Sequence, residues 1–458
     1  MLTNINKIRV KKVLFLVGDI LFLYFSLFLT LIIRFNNNYS NELYKEHILE
    51  FSIIYFLWIV MIFSFRFYET NKPLYKKTDL IVNIFNFSTI NLLISVFYFY
   101  IRSNIFITPK TILIINIALF GILFYIWRTL GNRFLYHGEK IKKCLVITNR
   151  KNLIKTIKEN QELEFSIKAY LNPNNEINDS DFEKIQFNHI NYYIKQNNIQ
   201  TILIDDDLLI SSKIVSHLFG CIKLKLEIIK ASDFYEKFIG KVSISNINEL
   251  WFVSNLNEGK KHLFDLVKNI LDKLFSVIFL VISILFVPFI VIAIKLDSKG
   301  PVLFKQVRTG KNNRNFLAMK FRTMGTNAEK NGPQWSDTND PRVTKIGKFL
   351  RLSRLDEIPQ LINIFKGEMN LVGPRPERPE FIKDLRKEIP FYDQRLLVKP
   401  GLTGWAQINY PYGSTVEDAY KKLEYDLYYV KNRNFILDIS IVLKTIHTIS
   451  KKLIGREL

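Results

Sequence analysis

Residues 13–33 read VLFLVGDILFLYFSLFLTLII, an apolar run with one charged residue, Asp19. About 20 apolar residues suffice to cross the ~30 Å hydrocarbon core of a bilayer, so this run predicts a transmembrane helix. Similar runs occupy residues 48–65, 81–101 and 111–127. A buried helix of a soluble protein would explain one such run, but not four close together. The sequence therefore predicts a multidomain membrane protein with an N-terminal bundle of four transmembrane helices over residues 1–135.

The basic residues between these runs predict the orientation of the bundle. They are concentrated before the first run, between the second and third, and after the fourth: Lys7, Arg9, Lys11, Lys12, Arg66, Lys72, Lys76, Lys77, Arg128, Arg133, Lys140, Lys142 and Lys143. The other two loops hold two basic residues each. Because basic loops favour the cytoplasmic side, both ends of the bundle are expected there.

Composition narrows the classes of partner. The chain has 458 residues, with 64 Lys and Arg against 42 Asp and Glu, for a net charge of +22. Such an excess indicates nucleic acid, an anionic membrane surface or phosphorylated substrates. Zinc-finger spacing and RNA-recognition motifs are absent from the sequence, and the excess flanks membrane segments and fills the last 194 residues. We therefore expect membrane lipids and phosphorylated molecules as partners, and no nucleic acid.

Residues 141–253 predict a small α/β domain. Strand-like segments at residues 143–148, 167–171, 201–204 and 226–229 alternate with helical ones, which is typical of a parallel sheet. The turn after the first strand reads TNRKN, where a dinucleotide-binding domain has a glycine-rich turn. We expect a degenerate Rossmann-like domain without a dinucleotide fingerprint. Asp205, Asp206 and Asp207 follow a strand, and we favour a solvated loop there over a Mg2+ site.

A fifth apolar run, residues 274–296, is interrupted by Pro288. A proline inside a helix removes a hydrogen bond and clashes with the preceding turn. Basic residues lie on both sides of the run, so two structures are open: a re-entrant helix that bends at Pro288 and returns to the same face, or a kinked spanning helix. Residues 435–454 have helical apolar spacing and predict either an interfacial membrane helix or a core helix.

The chemistry of residues 265–458 must depend on carboxylates, since residues 265–446 contain no His and no Cys. The densest candidate segment is RLSRLDEIPQLINI, residues 351–364. Asp356 is expected at the N-cap of a helix, where the helix dipole stabilises a carboxylate and attracts phosphates. Adjacent Asp356 and Glu357 could both bind one Mg2+ ion. The alternative is that Asp356 is only a cap and Glu357 a salt-bridge partner of Arg354.

Neighbouring segments favour a phosphorylated substrate. LVGPRPE, residues 371–377, places Arg375 between two prolines, and this stiff backbone suits bidentate phosphate recognition. KPGLTGWAQIN, residues 399–409, is a glycine-rich turn whose Trp405 could stack on a base. KFRTM, residues 320–324, adds Lys320 and Arg322.

These segments together resemble a known family. The runs GPVLFKQVRTG, KFRTM, DPRVTKIGKFLRLSRLDEIPQL, GEMNLVGPRPE and KPGLTGWAQIN are similar to the bacterial sugar transferase family of monotopic polyprenyl-phosphate glycosyl-1-phosphate transferases. The resemblance covers residues 265 to about 450, within a predicted catalytic domain of residues 265–458. The bundle and the Rossmann-like domain resemble the long multidomain members, which initiate capsule, exopolysaccharide or O-antigen synthesis.

The resemblance implies a reaction in which a sugar-1-phosphate passes from a UDP-sugar to polyprenyl (undecaprenyl) phosphate, releasing UMP. It implies that Asp356 is the nucleophile, forming a covalent aspartyl-phosphosugar intermediate, and that Asp356 and Glu357 hold Mg2+. It also implies substrate-binding roles, listed by position in the motifs: Arg351, Arg375, Lys320, Arg322, Trp405 and Gln407.

The resemblance further implies a mainly helical catalytic domain on the cytoplasmic face of the bacterial inner membrane, with residues 274–296 re-entrant. Family members often have Ser before the proline of the break, where this chain has Val287. Long members suggest a homodimer. The competing hypothesis is a non-catalytic membrane scaffold or regulator of polysaccharide assembly. It predicts loss of the acidic pair or of the Pro-Arg-Pro segment, and both are present.

Overall fold

The computed structural model describes residues 2–36, 39–64, 67–68, 77–101, 110–135, 142–159, 165–173, 181–186, 189–224, 226–328, 332, 334, 340–411 and 413–453. The chain divides into two compact units, Met1–Ala231 and Ser232–Leu458. Part of the basic-loop pattern, including Arg66, Lys72, Lys76, Arg102 and Lys140, lies outside the described residues. The predicted orientation therefore stays a prediction.

The first unit begins with four long helices. They are α1 (Leu2–Phe35), α2 (Asn41–Ser64), α3 (Lys77–Ile101) and α4 (Lys110–Leu135). Among the described residues, α1, α2 and α4 contain segments long and apolar enough to cross a membrane. Helix α3 is of similar length and is also mainly apolar, with three asparagines and one aspartate. The predicted four helices are present; that all four cross the membrane remains a prediction.

The interior of this bundle contains an ion pair. Arg128 of α4 donates from Nη2 to Oδ2 of Asp19 in α1 at 2.6 Å. The Tyr68 hydroxyl donates to the same oxygen at 2.5 Å. Both charged side chains are almost fully buried. A buried pair of this kind fixes the register of the two helices, because either charge alone would be costly in an apolar interior.

The same unit contains the predicted parallel sheet. Its strands are β1 (Lys142–Ile147), β2 (Phe165–Leu171), β3 (Glu183–Lys184), β4 (Thr201–Ile204) and β5 (Glu227–Lys230), in the order β3-β2-β1-β4-β5. All neighbouring strands are parallel. The helices between them are α5 (Lys151–Glu159), α6 (Ile190–Asn197) and α7 (Ser212–Gly220).

The expectation of a solvated loop at residues 205–207 is wrong for Asp205. This side chain is buried and accepts hydrogen bonds from the Thr148 hydroxyl and from the backbone N–H of Asn149 at 3.2 Å. Asp207 pairs with Arg150. Because β1 and β4 are adjacent and their connections run to opposite sides, their carboxyl ends form the crevice where such sheets bind ligands. Here Asp205 is hydrogen-bonded to the turn that would otherwise approach a pyrophosphate.

The sequence assigned residues up to 253 to the middle domain, whereas the structure packs residues 232–253 with the second unit. Val242 and Ile244 lie in one apolar cluster with Ile382 and Leu385. Lys241 pairs with Glu424 at 2.7 Å. The cause is that this segment has no strand partner in the sheet and buries its apolar side chains against the C-terminal helices instead.

The second unit is mainly helical. Its helices are α8 (Ala231–Phe234), α9 (Glu249–Asn255), α10 (His262–Ser283), α11 (Val287–Asp297), α12 (Lys345–Ser353), α13 (Gln360–Lys366), α14 (Pro379–Glu388), α15 (Trp405–Asn409), α16 (Val416–Asn432) and α17 (Phe435–Leu453). Antiparallel β6 (Leu303–Thr309) and β7 (Asn315–Phe321) form one small sheet, and parallel β8 (Asn370–Val372) and β9 (Gly401–Thr403) form another.

The run with Pro288 forms two helices. Helices α10 and α11 meet at an angle of 65° across a break of three residues, and Pro288 lies in the first turn of α11. Proline is tolerated there, because the first N–H groups of a helix have no partner within it. Ser283, at the end of α10, donates its hydroxyl to the Leu280 carbonyl at 2.7 Å. Such a bent pair fits either a broken span or a re-entrant loop.

Candidate active site

The acidic pair lies in a sharp turn between α12 and α13. Helix α12 begins at its cap Thr344, whose hydroxyl accepts from the Gly347 N–H at 3.0 Å. It ends because Arg354 adopts the left-handed conformation, with φ of 59°. A single 3-10 turn, Leu355–Glu357, then leads to Pro359, which precedes α13. The expectation that Asp356 is a helix N-cap is therefore wrong. Asp356 lies within the 3-10 turn that follows Arg354, and Pro359 is the N-cap of α13.

Glu357 is surrounded by three cations. Its Oε1 atom accepts from Nζ of Lys320 at 3.2 Å, Nη1 of Arg354 at 3.3 Å and Nη1 of Arg375 at 3.2 Å. Glu357 itself is buried. The turn, strand β7 and the Pro-Arg-Pro segment thus supply one cationic group each. The predicted pair with Arg354 is present, but it is one of three.

Asp356 has a different environment from its neighbour. The side chain is buried, and its Oδ1 atom has no hydrogen-bond partner in the described part of the chain. A buried carboxylate oxygen without a partner is costly in free energy. Such an atom is available to a ligand that approaches the turn, either as a nucleophile or as a metal ligand.

The pKa values of the two carboxyls are shifted in opposite directions. Burial, together with the charge of Glu357, raises the pKa of Asp356. Burial also acts to raise the pKa of Glu357, but the combined charges of Lys320, Arg375 and Arg354 outweigh it and lower that pKa. Burial lowers the pKa of Lys320 despite the counter-charge of Glu357. Glu357 is thus the ionised partner of the cations.

Arg351 and Arg322 hydrogen-bond to protein groups near the turn. Arg351 donates from Nε to the Thr323 hydroxyl at 2.9 Å. Arg322 is buried and donates from Nη1 to the Lys299 carbonyl at 2.9 Å and from Nη2 to the Ser298 carbonyl at 2.6 Å. The expectation of Arg322 as a substrate contact is therefore not supported by its geometry, since its guanidinium holds the segment after α11.

Trp405 is a core residue, so the expectation that it stacks on a base is wrong. Its side chain is 3% exposed, and its Nε1 donates to the Gly240 carbonyl at 2.7 Å. Its ring stacks on Tyr428, with centroids 5.5 Å apart. Gln407 is half-buried, and its Oε1 has no hydrogen-bond partner among the described residues. Its predicted substrate contact remains a prediction.

Sequence reasoning missed the residues that hold Arg375. Arg395 donates from Nη2 to the Arg375 carbonyl at 2.8 Å and from Nε to Asp426 at 3.0 Å. Both Arg395 and Asp426 are buried. Arg308 donates to the Pro376 carbonyl at 3.1 Å and lies 3.6 Å from Glu377. A buried Arg–Asp pair has no local sequence pattern, because its members lie 31 residues apart.

The sequence of the second unit is similar to that of known proteins. Residues 263–452 match the family model described as bacterial sugar transferase. An exopolysaccharide production protein of Rhizobium leguminosarum is 40% identical over 189 residues, which are 40% of this chain and 94% of that protein. The chain belongs to the bacterial sugar transferase family.

Two relatives that are longer than the Rhizobium protein have names that state a reaction. One is a UDP-N-acetylgalactosamine-undecaprenyl-phosphate N-acetylgalactosaminephosphotransferase of Aeromonas hydrophila, 40% identical over 248 residues, which are 54% of this chain and 57% of that protein. The other is a UDP-glucose:undecaprenyl-phosphate glucose-1-phosphate transferase of Escherichia coli K12, 43% identical over 159 residues, 34% of each chain. The chain therefore matches about half or less of the length of these relatives.

Proposed function

We propose that this chain transfers a sugar-1-phosphate from a UDP-sugar to undecaprenyl phosphate and releases UMP. The observation that supports this most directly is the turn at residues 355–357. It presents an unpartnered, buried oxygen of Asp356 beside Glu357 and its three cations. A carboxylate can act as a covalent nucleophile toward phosphorus, and adjacent cations stabilise the charge of a diphosphate. The names of the relatives point to the same reaction class.

In this proposal Asp356 reacts twice. A carboxylate oxygen attacks the phosphorus bonded to the sugar, and the bond from that phosphorus to the UMP oxygen breaks, so UMP leaves with the electron pair. An oxygen of undecaprenyl phosphate then attacks the same phosphorus and expels Asp356. The product is undecaprenyl-diphosphate-sugar, and the carboxylate is restored. Kinetics of this kind are ping-pong.

The cations have a binding role in this scheme. Arg375 is fixed by its flanking prolines and by Arg395, so its guanidinium can meet a phosphate with little loss of side-chain freedom. Lys320 lies near the end of β7, and Arg351 lies in the last turn of α12. Their hydrogen bonds to Glu357 and Thr323 hold them near the turn until substrate arrives.

The donor set at this turn suits a hard divalent cation. Mg2+ is typically held by one or two carboxylates together with substrate phosphates, and the unpartnered Oδ1 of Asp356 is an oxygen ligand of that type. Asp356 and Glu357 would hold the ion, Asp356 through its unpartnered oxygen. When bound, Mg2+ neutralises the diphosphate.

We further propose that the catalytic unit lies on the cytoplasmic face of the bacterial inner membrane, with α10 and α11 forming a re-entrant pair. A re-entrant pair is one of the two structures that fit the 65° bend, and the many exposed apolar side chains of both helices are suited to contact with lipid. A pathway of capsule, exopolysaccharide or O-antigen synthesis, and a homodimer, belong to the same proposal. Labelling a Lys299→Cys variant in intact cells tests the topology: external reagent should fail to reach it, and labelling from outside would contradict a re-entrant pair.

The central test is detection of the covalent adduct. The full-length protein is incubated with a UDP-sugar panel and Mg2+, without acceptor lipid, and digested for mass spectrometry. We expect a phosphosugar on the peptide containing Asp356 and release of UMP. Undecaprenyl phosphate should then discharge the adduct. Lipid-linked product without any adduct on Asp356 would overturn the covalent step, and neither adduct nor product with any sugar would favour a non-catalytic scaffold.

A further inference from the structure

A cavity of about 300 Å3 lies in the second unit, apart from the acidic turn. One face of α10, the strand β8, the residues before β9 and the turn Lys311–Asn313 enclose it. Its lining includes Asn269, Lys311, Asn370, Lys399 and Arg433. None of the groups that contact Glu357 lines it, so the cavity is a separate feature of the fold.

Two of the cations in this cavity, Lys311 and Lys399, form no ion pair with a carboxylate of the described residues. Arg433 is neutralised by Glu258 at 2.6 Å and by Asp265 at 3.0 Å. Lys399 instead donates to the neutral amide oxygen of Asn269 at 2.7 Å. Lys311 forms no ion pair within the described part of the chain, and both lysines are half-buried. Of the other charged groups in the lining, Asp265 pairs with Arg433, and Lys268 pairs with Asp272 and Asp438. Lys311 and Lys399 are therefore the charged groups of the lining that are left to bind an anion.

A third lysine adds to this charge. A Cβ atom placed on Gly367 would lie 3.5 Å from Nζ of Lys399 and 3.8 Å from Nζ of Lys273. The two ammonium groups therefore face the same small space. Burial and the charges of Lys273 and Lys311 lower the pKa of Lys399, although the charges of Asp272 and Asp265 act in the opposite direction. Like charges held this close are destabilising unless an anion lies between them.

The shape and the remaining polar atoms indicate the chemical class of the anion. Lysine ammonium groups bind phosphate as point charges. Asn370 contributes an Oδ1 atom that accepts no hydrogen bond from the described residues, and a protonated phosphate oxygen could donate to it. Helix α10 also continues from the cavity into the apolar segment that leads to α11.

We propose that this cavity is a second anion site that binds a phosphate group, from either a membrane-lipid headgroup or free phosphate. The site does not depend on sugar-phosphate transfer, so it stands or falls separately from the proposed function. Its ligand contacts Lys311 and Lys399 and lies at the start of the apolar part of α10.

The test measures ligand-induced thermal stabilisation of the full-length protein in detergent. One arm titrates inorganic phosphate against chloride at equal ionic strength. The other adds phosphatidic acid, or diacylglycerol as its phosphate-free counterpart, to the micelles. The variants are Lys311→Gln, the double variant K311Q/K399Q, and Lys387→Gln, an exposed lysine on α14 that does not line the cavity.

We expect the wild type and K387Q to be stabilised by a phosphate-bearing probe. We expect K311Q to bind it about tenfold more weakly, the usual effect of losing one charged hydrogen bond. The probe that stabilises identifies the source of the phosphate group. An unstabilised wild type, or a K311Q response equal to that of K387Q, would overturn the site. Should the double variant fail to fold, the K311Q result decides, because Lys311 makes no ion pair with a described residue that its loss would break.

Discussion

Oε1 of Glu357 lies 3.2 Å from Nη1 of Arg375, while Oδ1 of the adjacent Asp356 has no hydrogen-bond partner among the described residues. Of the two neighbouring carboxyls, Glu357 is thus neutralised by cations, and Asp356 is available to a ligand. This separation predicts opposite responses when each loses its charge.

For Asp356→Asn we expect loss of UMP release by at least about a thousandfold, since a catalytic nucleophile is removed. Folding should be retained or slightly improved, because burial disfavours the charged form of this residue. UMP release and the thermal unfolding midpoint measure the two effects. Retained turnover in this variant would refute the covalent role.

For Glu357→Gln we expect marked destabilisation. The amide leaves Lys320, Arg354 and Arg375 without their shared counter-charge. Breaking a buried ion pair typically costs about 3–5 kcal/mol. The midpoint of unfolding should fall well below that of Asp356→Asn, which serves as the matched control. Equal midpoints for the two variants would show that the cations do not depend on Glu357.

For Arg395→Lys we expect roughly a tenfold loss of kcat/KM. Lysine has a single ammonium group and cannot replace the guanidinium, which donates both to Asp426 and to the Arg375 carbonyl. Arg395 is a positioning residue, so its effect should disappear when Arg375 is already alanine. A double-mutant cycle tests this. Additive losses in the double variant would mean that Arg395 only supports the fold and does not act through Arg375.

For Trp405→Phe we expect a loss of about 1 kcal/mol of stability, from the hydrogen bond to the Gly240 carbonyl. The KM for the UDP-sugar should stay unchanged, because the ring packs on Tyr428 in the core. Denaturant unfolding and steady-state kinetics measure the two quantities. A raised KM with unchanged stability would restore the base-stacking role.

For Lys261→Met we expect a change in the pH dependence of stability. Burial, with the charge of Arg433, lowers the pKa of Lys261 from 10.5 to about 8. Between pH 8 and 10.5 the unfolded chain therefore binds more protons at this residue than the folded one, so its contribution to stability rises with pH. The wild type should gain stability relative to the variant over that window. A constant difference between them would contradict the lowered pKa.

Features that depend on neighbouring residues could be predicted from the sequence, whereas features that depend on contacts between distant residues could not. The acidic pair and Arg375 lie in short, ordered motifs, so local spacing was enough to locate them. The ring of Trp405 could not be placed, because its burial depends on Gly240 and Tyr428, which are distant in the chain. The predicted N-cap position of Asp356 was wrong for a local reason. Residues with a Cβ atom rarely adopt the left-handed conformation of Arg354, and no residue type in the segment indicates it.

The Asp19–Arg128 pair has a consequence for biosynthesis. The two residues are 109 positions apart, so Asp19 is translated long before its partner. An aspartate opposes the insertion of a helix, by up to about 2.5–3.5 kcal/mol when it lies at the helix centre. Asp19 is the seventh residue of the apolar segment Val13–Phe35 and so adds part of this cost. The first hydrophobic segment is thus expected to remain near the insertion machinery, unable to partition fully into lipid, until the fourth emerges. Truncated nascent chains that stop before residue 128 should accordingly stay crosslinkable to the translocon.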